Sequence, residues 1–130
     1  MKSDNELLKT LTVLCVDNDE LLRKILGRML RRKFAKVYEA ENGREGLKIY
    51  RDNCNEIDIV IADVEMPVMG GLTMIDKILE INASQQIIIT TAYNDQYHLS
   101  GKVCDNVVKP IVVDKLLQSV LHCLGLKTGT

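Results

Sequence analysis

Apolar and polar positions along the chain follow two alternating rhythms. Residues 11–16 (LTVLCV) form a short apolar run with β-branched members, the pattern of a strand buried on both faces. After Asp17-Asn18-Asp19 the spacing changes. Leu21, Leu22, Ile25, Leu26, Met29 and Leu30 recur at i, i+4 and i+8, which predicts an amphipathic helix. Residues 37–40 are a second short strand candidate, closed by Asn42-Gly43, and residues 45–51 read as a helix with Leu47 and Tyr50 turned inward. A third strand covers residues 57–62 (IDIVIA) and stops at Asp63. Pro67, Gly70 and Gly71 make the following stretch a loop, and Leu72, Ile75, Ile78 and Leu79 then predict a helix over residues 72–81. Residues 86–91 (QIIITT) predict a fourth strand and residues 95–101 a short, weakly amphipathic helix. A brief fifth strand over residues 106–108 precedes Lys109-Pro110, and Leu116, Leu117, Val120, Leu121 and Leu124 place one stripe on a last helix over residues 113–124.

Five strands alternating with five helices call for right-handed βαβ crossovers. The predicted fold is therefore α/β, a doubly wound five-stranded parallel sheet of the flavodoxin-like (βα)5 type. A length of 130 residues suits one domain, and no repeat or linker divides it. The domain is assigned to residues 11–124, with residues 1–10 a flexible N-terminal segment and residues 125–130 a C-terminal tail.

Composition narrows the function classes. Hydrophobic residues make up 46% and charged residues 27%, which excludes a disordered or low-complexity chain. The 17 basic and 18 acidic residues leave a net charge of −1, so no global field points to nucleic acid or anionic lipid. No apolar run approaches membrane-spanning length and residues 1–10 carry no signal-peptide core, so a soluble, cytoplasmic protein is expected. Cys15, Cys54, Cys104 and Cys123 are far apart and form no metal motif with His98 or His122; a disulfide pair is possible in principle, but without an export signal the expectation is ordinary free thiols in or near the core.

In an open parallel sheet, ligands bind beyond the carboxyl ends of the strands, where strand order switches. Those ends carry Asp17, Asn18 and Asp19 after the first strand, Asp63 after the third, Thr91 on the fourth and Lys109 after the fifth. Oxygen ligands of this kind suit Mg2+, which binds one or two carboxylates together with phosphate oxygens and waters. A carboxylate beside the metal can attack a phosphoryl group, while a hydroxyl and an ammonium stabilise its oxygens. Taken singly, each residue has a plainer reading. A strand-end aspartate caps a helix, a threonine fills a strand, and a lysine is solvated. The sequence has no glycine-rich nucleotide loop.

Together the fragments VLCVDND, DIVIADVEMPVMGG, IIITTAY and VVKP, in this order and at these strand ends, resemble the receiver domain of two-component response regulators over residues 11–124. The resemblance implies a phosphorylation-controlled signalling switch. Asp63 would accept a phosphoryl group from the phosphohistidine of a sensor histidine kinase or histidine phosphotransfer protein. Asp17 and Asp63 would hold Mg2+ with the backbone carbonyl of Glu65, and Thr91 and Lys109 would bind the phosphoryl oxygens. Pro110 would follow a cis peptide bond. The output would pass to a downstream effector protein or a fused output domain, with homodimerisation through the last helices and strand open to the family. Direct nucleic-acid binding and membrane association are not implied, nor is metabolic catalysis.

Two positions depart from the family pattern. Asn18 replaces an acidic residue, bringing an amide oxygen but no charge to the metal, so weaker Mg2+ binding is expected. Asp19 could compensate, although its plain reading is a helix N-cap. Asn106 stands where the family carries an aromatic switch, leaving Tyr93 or Tyr97 as candidate replacements. These departures motivate the alternative of a degenerate receiver that binds partners without phosphorylation. A small aspartyl-phosphate phosphatase fits poorly, because Glu65 occupies its second catalytic position and the chain has no room for a cap. Arg23, Lys24, Arg28, Arg31, Arg32 and Lys33 make the first helix basic, either a solvated face or a docking surface for the phosphodonor. His98 reads as a surface residue and Met66 and Met69 as loop packing.

Overall fold

The computed structural model describes residues 2–66, 68–92 and 101–126. Ten elements follow in order: α1 (Asp4–Leu8), β1 (Thr12–Val16), α2 (Glu20–Lys33), β2 (Lys36–Ala40), α3 (Gly43–Asn53), β3 (Ile59–Asp63), α4 (Gly71–Ile81), β4 (Gln86–Thr91), β5 (Asp105–Val108) and α5 (Val113–Cys123). The strands form one sheet in the order β2-β1-β3-β4-β5, with every pairing parallel. This is the predicted doubly wound arrangement. Its switch point lies between β1 and β3, where Val16 pairs with Ala62 just before Asp17 and Asp63.

Alternation along each strand divides the core into two layers. Leu14, Val16, Val60, Ala62, Ile87 and Ile89 pack with Leu47 and Tyr50 of α3 and Met74, Ile75 and Ile78 of α4. Val13, Cys15, Ile59, Ile61 and Ile88 pack on the other side with Leu8, Leu26, Leu30, Leu116, Val120 and Leu121 from α1, α2 and α5. β1 and β3 are buried at every position, which explains why their sequences are mainly apolar rather than alternating apolar and polar.

The helix starts carry their own local signals. Asp19 caps α2 by accepting from Leu22 N–H at 3.0 Å, and Asn42 caps α3 by accepting from Glu45 N–H at 2.8 Å. The stretch before Leu11, expected to be a flexible flank, instead holds α1. Ser3 and Glu6 form a reciprocal capping box and Leu8 is buried on the α2/α5 layer. A single turn shows too little periodicity for a hydrophobic pattern to reveal it. The helix expected over residues 95–101 lies outside the described residues, apart from its last position.

Three further expectations meet different outcomes. Only part of the apolar stripe of α2 reaches the core: Leu26 and Leu30 are buried, whereas Leu21, Ile25 and Met29 are 70%, 49% and 38% exposed. The four cysteines are not all free thiols. Cys104 and Cys123 form a disulfide, while Cys15 and Cys54 are free. Nineteen residues of sequence separation conceal that the entry to β5 and the end of α5 meet, with Cα atoms 5.9 Å apart. Met66 and Met69 pack on the α3/α4 layer, as loop packing requires.

Candidate functional site

At the carboxyl edge of the sheet, Asp17, Asp63, Thr91 and Lys109 converge, each placed by a different strand or strand end. Asp17 and Asp63 are both only 2% exposed, and Thr91 is fully buried. The Lys109 ammonium reaches between the two carboxylates, 3.3 Å from Asp63 Oδ1 and 3.8 Å from Asp17 Oδ2. The peptide bond between Lys109 and Pro110 is cis, as expected, and the Lys109 N–H donates to the Thr91 carbonyl at 2.8 Å. The site opens into a cleft of about 440 Å³ lined by Asn18, Asp19, Asp63, Glu65, Ala92 and Lys109.

Neighbouring backbone holds the carboxylates in place. Asp17 Oδ1 accepts from Asp19 N–H at 2.8 Å, and Arg23 Nη1 donates to the Asp17 carbonyl at 2.9 Å. Asp63 Oδ1 accepts from Glu65 N–H at 3.1 Å. Gly71 lies directly against the Asp63 carbonyl and Val64 Cα, where a side chain would have no room. Glycine there lets the start of α4 close under the Asp63 loop.

Burial, then the negative charge of Asp17, push the Asp63 carboxyl up to about 6. Lys109 and the Glu65 N–H oppose that rise only in part. Burial also acts to raise Glu65, but hydrogen bonds from Ala92 N–H, Thr91 and Asp63 outweigh it and leave Glu65 below the usual carboxylate range.

The donor set fits Mg2+. The Asp17 and Asp63 carboxylates and the Glu65 carbonyl are hard oxygen ligands, and Mg2+ keeps waters and phosphate oxygens for its other positions. Among the described residues no three His, Cys, Asp or Glu side chains form a metal cluster, so an ion here would rest on two carboxylates. Asn18 stands at this spot. Oriented to satisfy its neighbours, its amide nitrogen donates to Asp63 Oδ2 at 3.3 Å and to the Glu65 carbonyl at 3.2 Å. A neutral donor thereby covers two of the oxygens a cation would take. Asp19 spends one oxygen on its helix-capping bond, the plainer of its two readings, while still lining the cleft.

Sequence reasoning gave Glu65 a backbone role alone. Its side chain also accepts from Thr91 Oγ1 at 3.0 Å and from Ala92 N–H at 3.2 Å. Only its position two residues after Asp63 hinted at this, because a β-strand end followed by a turn can fold that side chain back over the site. Asn106 is half-buried on β5 and its Oδ1 is buried without a hydrogen-bond partner among the described residues. Tyr93, Tyr97 and His98 lie outside the described residues.

The fold is thus a doubly wound parallel α/β sheet that gathers two buried carboxylates, a threonine and a lysine at the carboxyl edge of its strands. The comparisons with known proteins agree. The family described as "Response regulator receiver domain" matches residues 13–121, and the chain belongs to it. The chain is similar to a cyclic di-GMP phosphodiesterase of Thermotoga maritima, 30% identical over 118 residues, covering 88% of this chain and 31% of that protein. It is 32% identical to a two-component response regulator of Arabidopsis thaliana over 108 residues, covering 80% of this chain and 18% of the relative. The chain thus spans less than a third of either curated relative. Among solved structures it resembles the response regulator TrrA of Thermotoga maritima in complex with Mg2+ and BeF, with 30% identity and a TM-score of 0.78, covering 88% of this chain and 100% of that one. Receiver domains are signalling domains, and the family supports a phosphorylation-controlled switch in general terms. Among the described residues no helix is long and apolar enough to cross a membrane.

Proposed function

We propose that this domain is a phosphorylation-controlled switch whose acceptor is Asp63 and whose phosphodonor is the phosphohistidine of a sensor histidine kinase or histidine phosphotransfer protein. One observation carries the reading: Lys109 lies 3.3 Å from a buried Asp63 that shares its edge with buried Asp17. A buried pair of like charges beside a single ammonium is costly for folding and useful for chemistry. In the transfer, a carboxylate oxygen of Asp63 forms the new O–P bond as the P–N bond of phosphohistidine breaks, and the imidazole leaves with the electron pair. Lys109 and Thr91 bind the oxygens of the resulting acyl phosphate. Asp17, Asp63 and the Glu65 carbonyl would hold Mg2+, with Asn18 a weaker contributor, and the ion would neutralise charge on the transferring group. The phosphorylated state then favours a different partner surface.

The phosphodonor is assigned to α2, which starts three residues after Asp17. Its exposed Leu21, Ile25 and Met29 form an apolar ridge, and among the described residues Arg28 and Arg32 make no salt bridge. Apolar area flanked by unspent guanidinium groups suits a protein partner with an acidic rim. The output goes to an effector protein or fused output domain, and a cytoplasmic setting is consistent with this chemistry. The alternative, a phosphorylation-independent interaction module, draws support from the Asn18 amide covering Asp63 Oδ2 and the Glu65 carbonyl.

Intact-mass measurement after incubation with acetyl phosphate and Mg2+ tests the reading. One added phosphoryl group on the wild type, absent from Asp63→Ala, supports it. No labelling by either acetyl phosphate or a phosphorylated histidine phosphotransfer protein favours the interaction module.

A further inference from the structure

We infer that the Glu65 side chain is an internal stand-in for the phosphoryl group, held on the donors that group needs, so that phosphorylation must displace it. The inference rests on Asp63 being the acceptor. A phosphoryl group on Asp63 carries three oxygens and excess negative charge. The donors on hand for those oxygens are Lys109, the Thr91 hydroxyl and the Ala92 N–H. Glu65 Oε1 engages two of them, accepting from Thr91 Oγ1 at 3.0 Å and from Ala92 N–H at 3.2 Å. A carboxylate oxygen receiving a hydroxyl and a backbone amide is what a phosphoryl oxygen would receive.

The second oxygen strengthens the case. Glu65 Oε2 is buried with no hydrogen-bond partner among the described residues, and the bonds from Thr91 and Ala92 both fall on Oε1. A negative oxygen left unsatisfied in a buried position is costly. That cost makes the Glu65 arrangement one the phosphoryl group can replace. Released from Thr91 and Ala92, the side chain can turn into the open cleft that it lines and regain water on both oxygens. Glu65 is thus a positioning residue that sets the rate of phosphorylation by acting on Thr91 and Ala92. It also draws the Thr91 hydroxyl toward the site before any phosphoryl group arrives.

The test combines labelling kinetics with a readout on the unphosphorylated protein. Glu65→Ala leaves the backbone carbonyl in place and removes the occupant. Glu65→Gln keeps an acceptor oxygen but removes its charge. Expected are initial labelling rates by acetyl phosphate with Mg2+ that rise in the order wild type, Glu65→Gln, Glu65→Ala, with about a tenfold span. In metal-free protein, the Ala92 amide proton should move upfield in Glu65→Ala, as loss of a charged acceptor requires. Equal rates in wild type and Glu65→Ala, with labelling still confined to Asp63, overturn the inference and leave the acceptor assignment standing. Equal rates in the two variants, both above wild type, also overturn it, since charge alone would then explain the effect. An unmoved Ala92 amide overturns it as well. Absence of labelling from all three proteins removes the acceptor assignment, and the inference falls with it.

Discussion

Lys109 and Asp63 form the central ion pair of the site, 3.3 Å apart, yet one ammonium serves two buried carboxylates. The Asp63 carboxyl consequently stands near 6, above its unfolded value of about 3.9, through burial first and Asp17 second. The folded state therefore binds this proton more tightly than the unfolded chain does. The group's stabilising contribution is complete below the unfolded value and is lost as pH rises through about 6.

In metal-free buffer, Asp63→Asn should accordingly melt higher than wild type at pH 7.5, and the advantage should shrink as pH falls below 6. Thermal melts of both proteins across pH 4.5–8 in chelator check this. A constant difference across that range would show that the Asp63 charge is already compensated.

Asn18→Asp should bind Mg2+ more tightly, because a third carboxylate joins Asp17 and Asp63 and the amide that now donates to Asp63 Oδ2 and the Glu65 carbonyl is gone. A unit charge a few ångströms away is worth several kcal/mol at intermediate dielectric, most of it spent on dehydration, so about a tenfold gain is expected. Calorimetric titration measures it directly. The same variant should be less stable without metal, having three crowded carboxylates.

Gly71→Ala should destabilise the fold by about 1–3 kcal/mol, the usual range for a methyl forced against fixed backbone. The methyl would meet the Asp63 carbonyl and Val64 Cα, neither of which can swing away. Amide shifts of residues 63–65 should move with the loss of denaturation midpoint. A neutral substitution would mean that α4 can lift without disturbing Asp63.

Cys104→Ser should cost about 3 kcal/mol, the chain-entropy value for a crosslink across 19 residues. Ser119 Oγ also donates to Asp105 beside the crosslink, so the β5–α5 contact should weaken locally first. Denaturation with and without a dithiol reductant separates the cases. Reductant should lower the wild type toward Cys104→Ser and leave the variant unmoved.

The order of elements was legible in the sequence because it depends on local rhythm. The runs ending at Val16, Ala62 and Thr91 are predominantly apolar and rich in β-branched residues, the pattern of a strand covered on both faces. The residues of the candidate site were legible for a related reason: the carboxyl ends of parallel strands share one edge once the strands are placed. Asp17, Asp63, Thr91 and Lys109 needed no distance information to be brought together. By contrast, the pattern overstated the core of α2, because Leu21, Ile25 and Met29 share its apolar stripe and yet face outward. Hydrophobicity marks a helix as amphipathic without saying which part of the band meets the sheet and which part is left for a partner.

What the sequence determined by itself was the fold class and which residues share the carboxyl edge, since both follow from short-range periodicity and from the rule that parallel strands present their ends together. What tertiary structure decided were the relations between distant groups. No spacing reveals that Cys104 meets Cys123, that Gly71 must be small to pass the Asp63 carbonyl, or that the Glu65 side chain turns back onto Thr91 and Ala92. Each depends on where a loop closes, and loop closure is governed by the packing of elements that lie far apart along the chain.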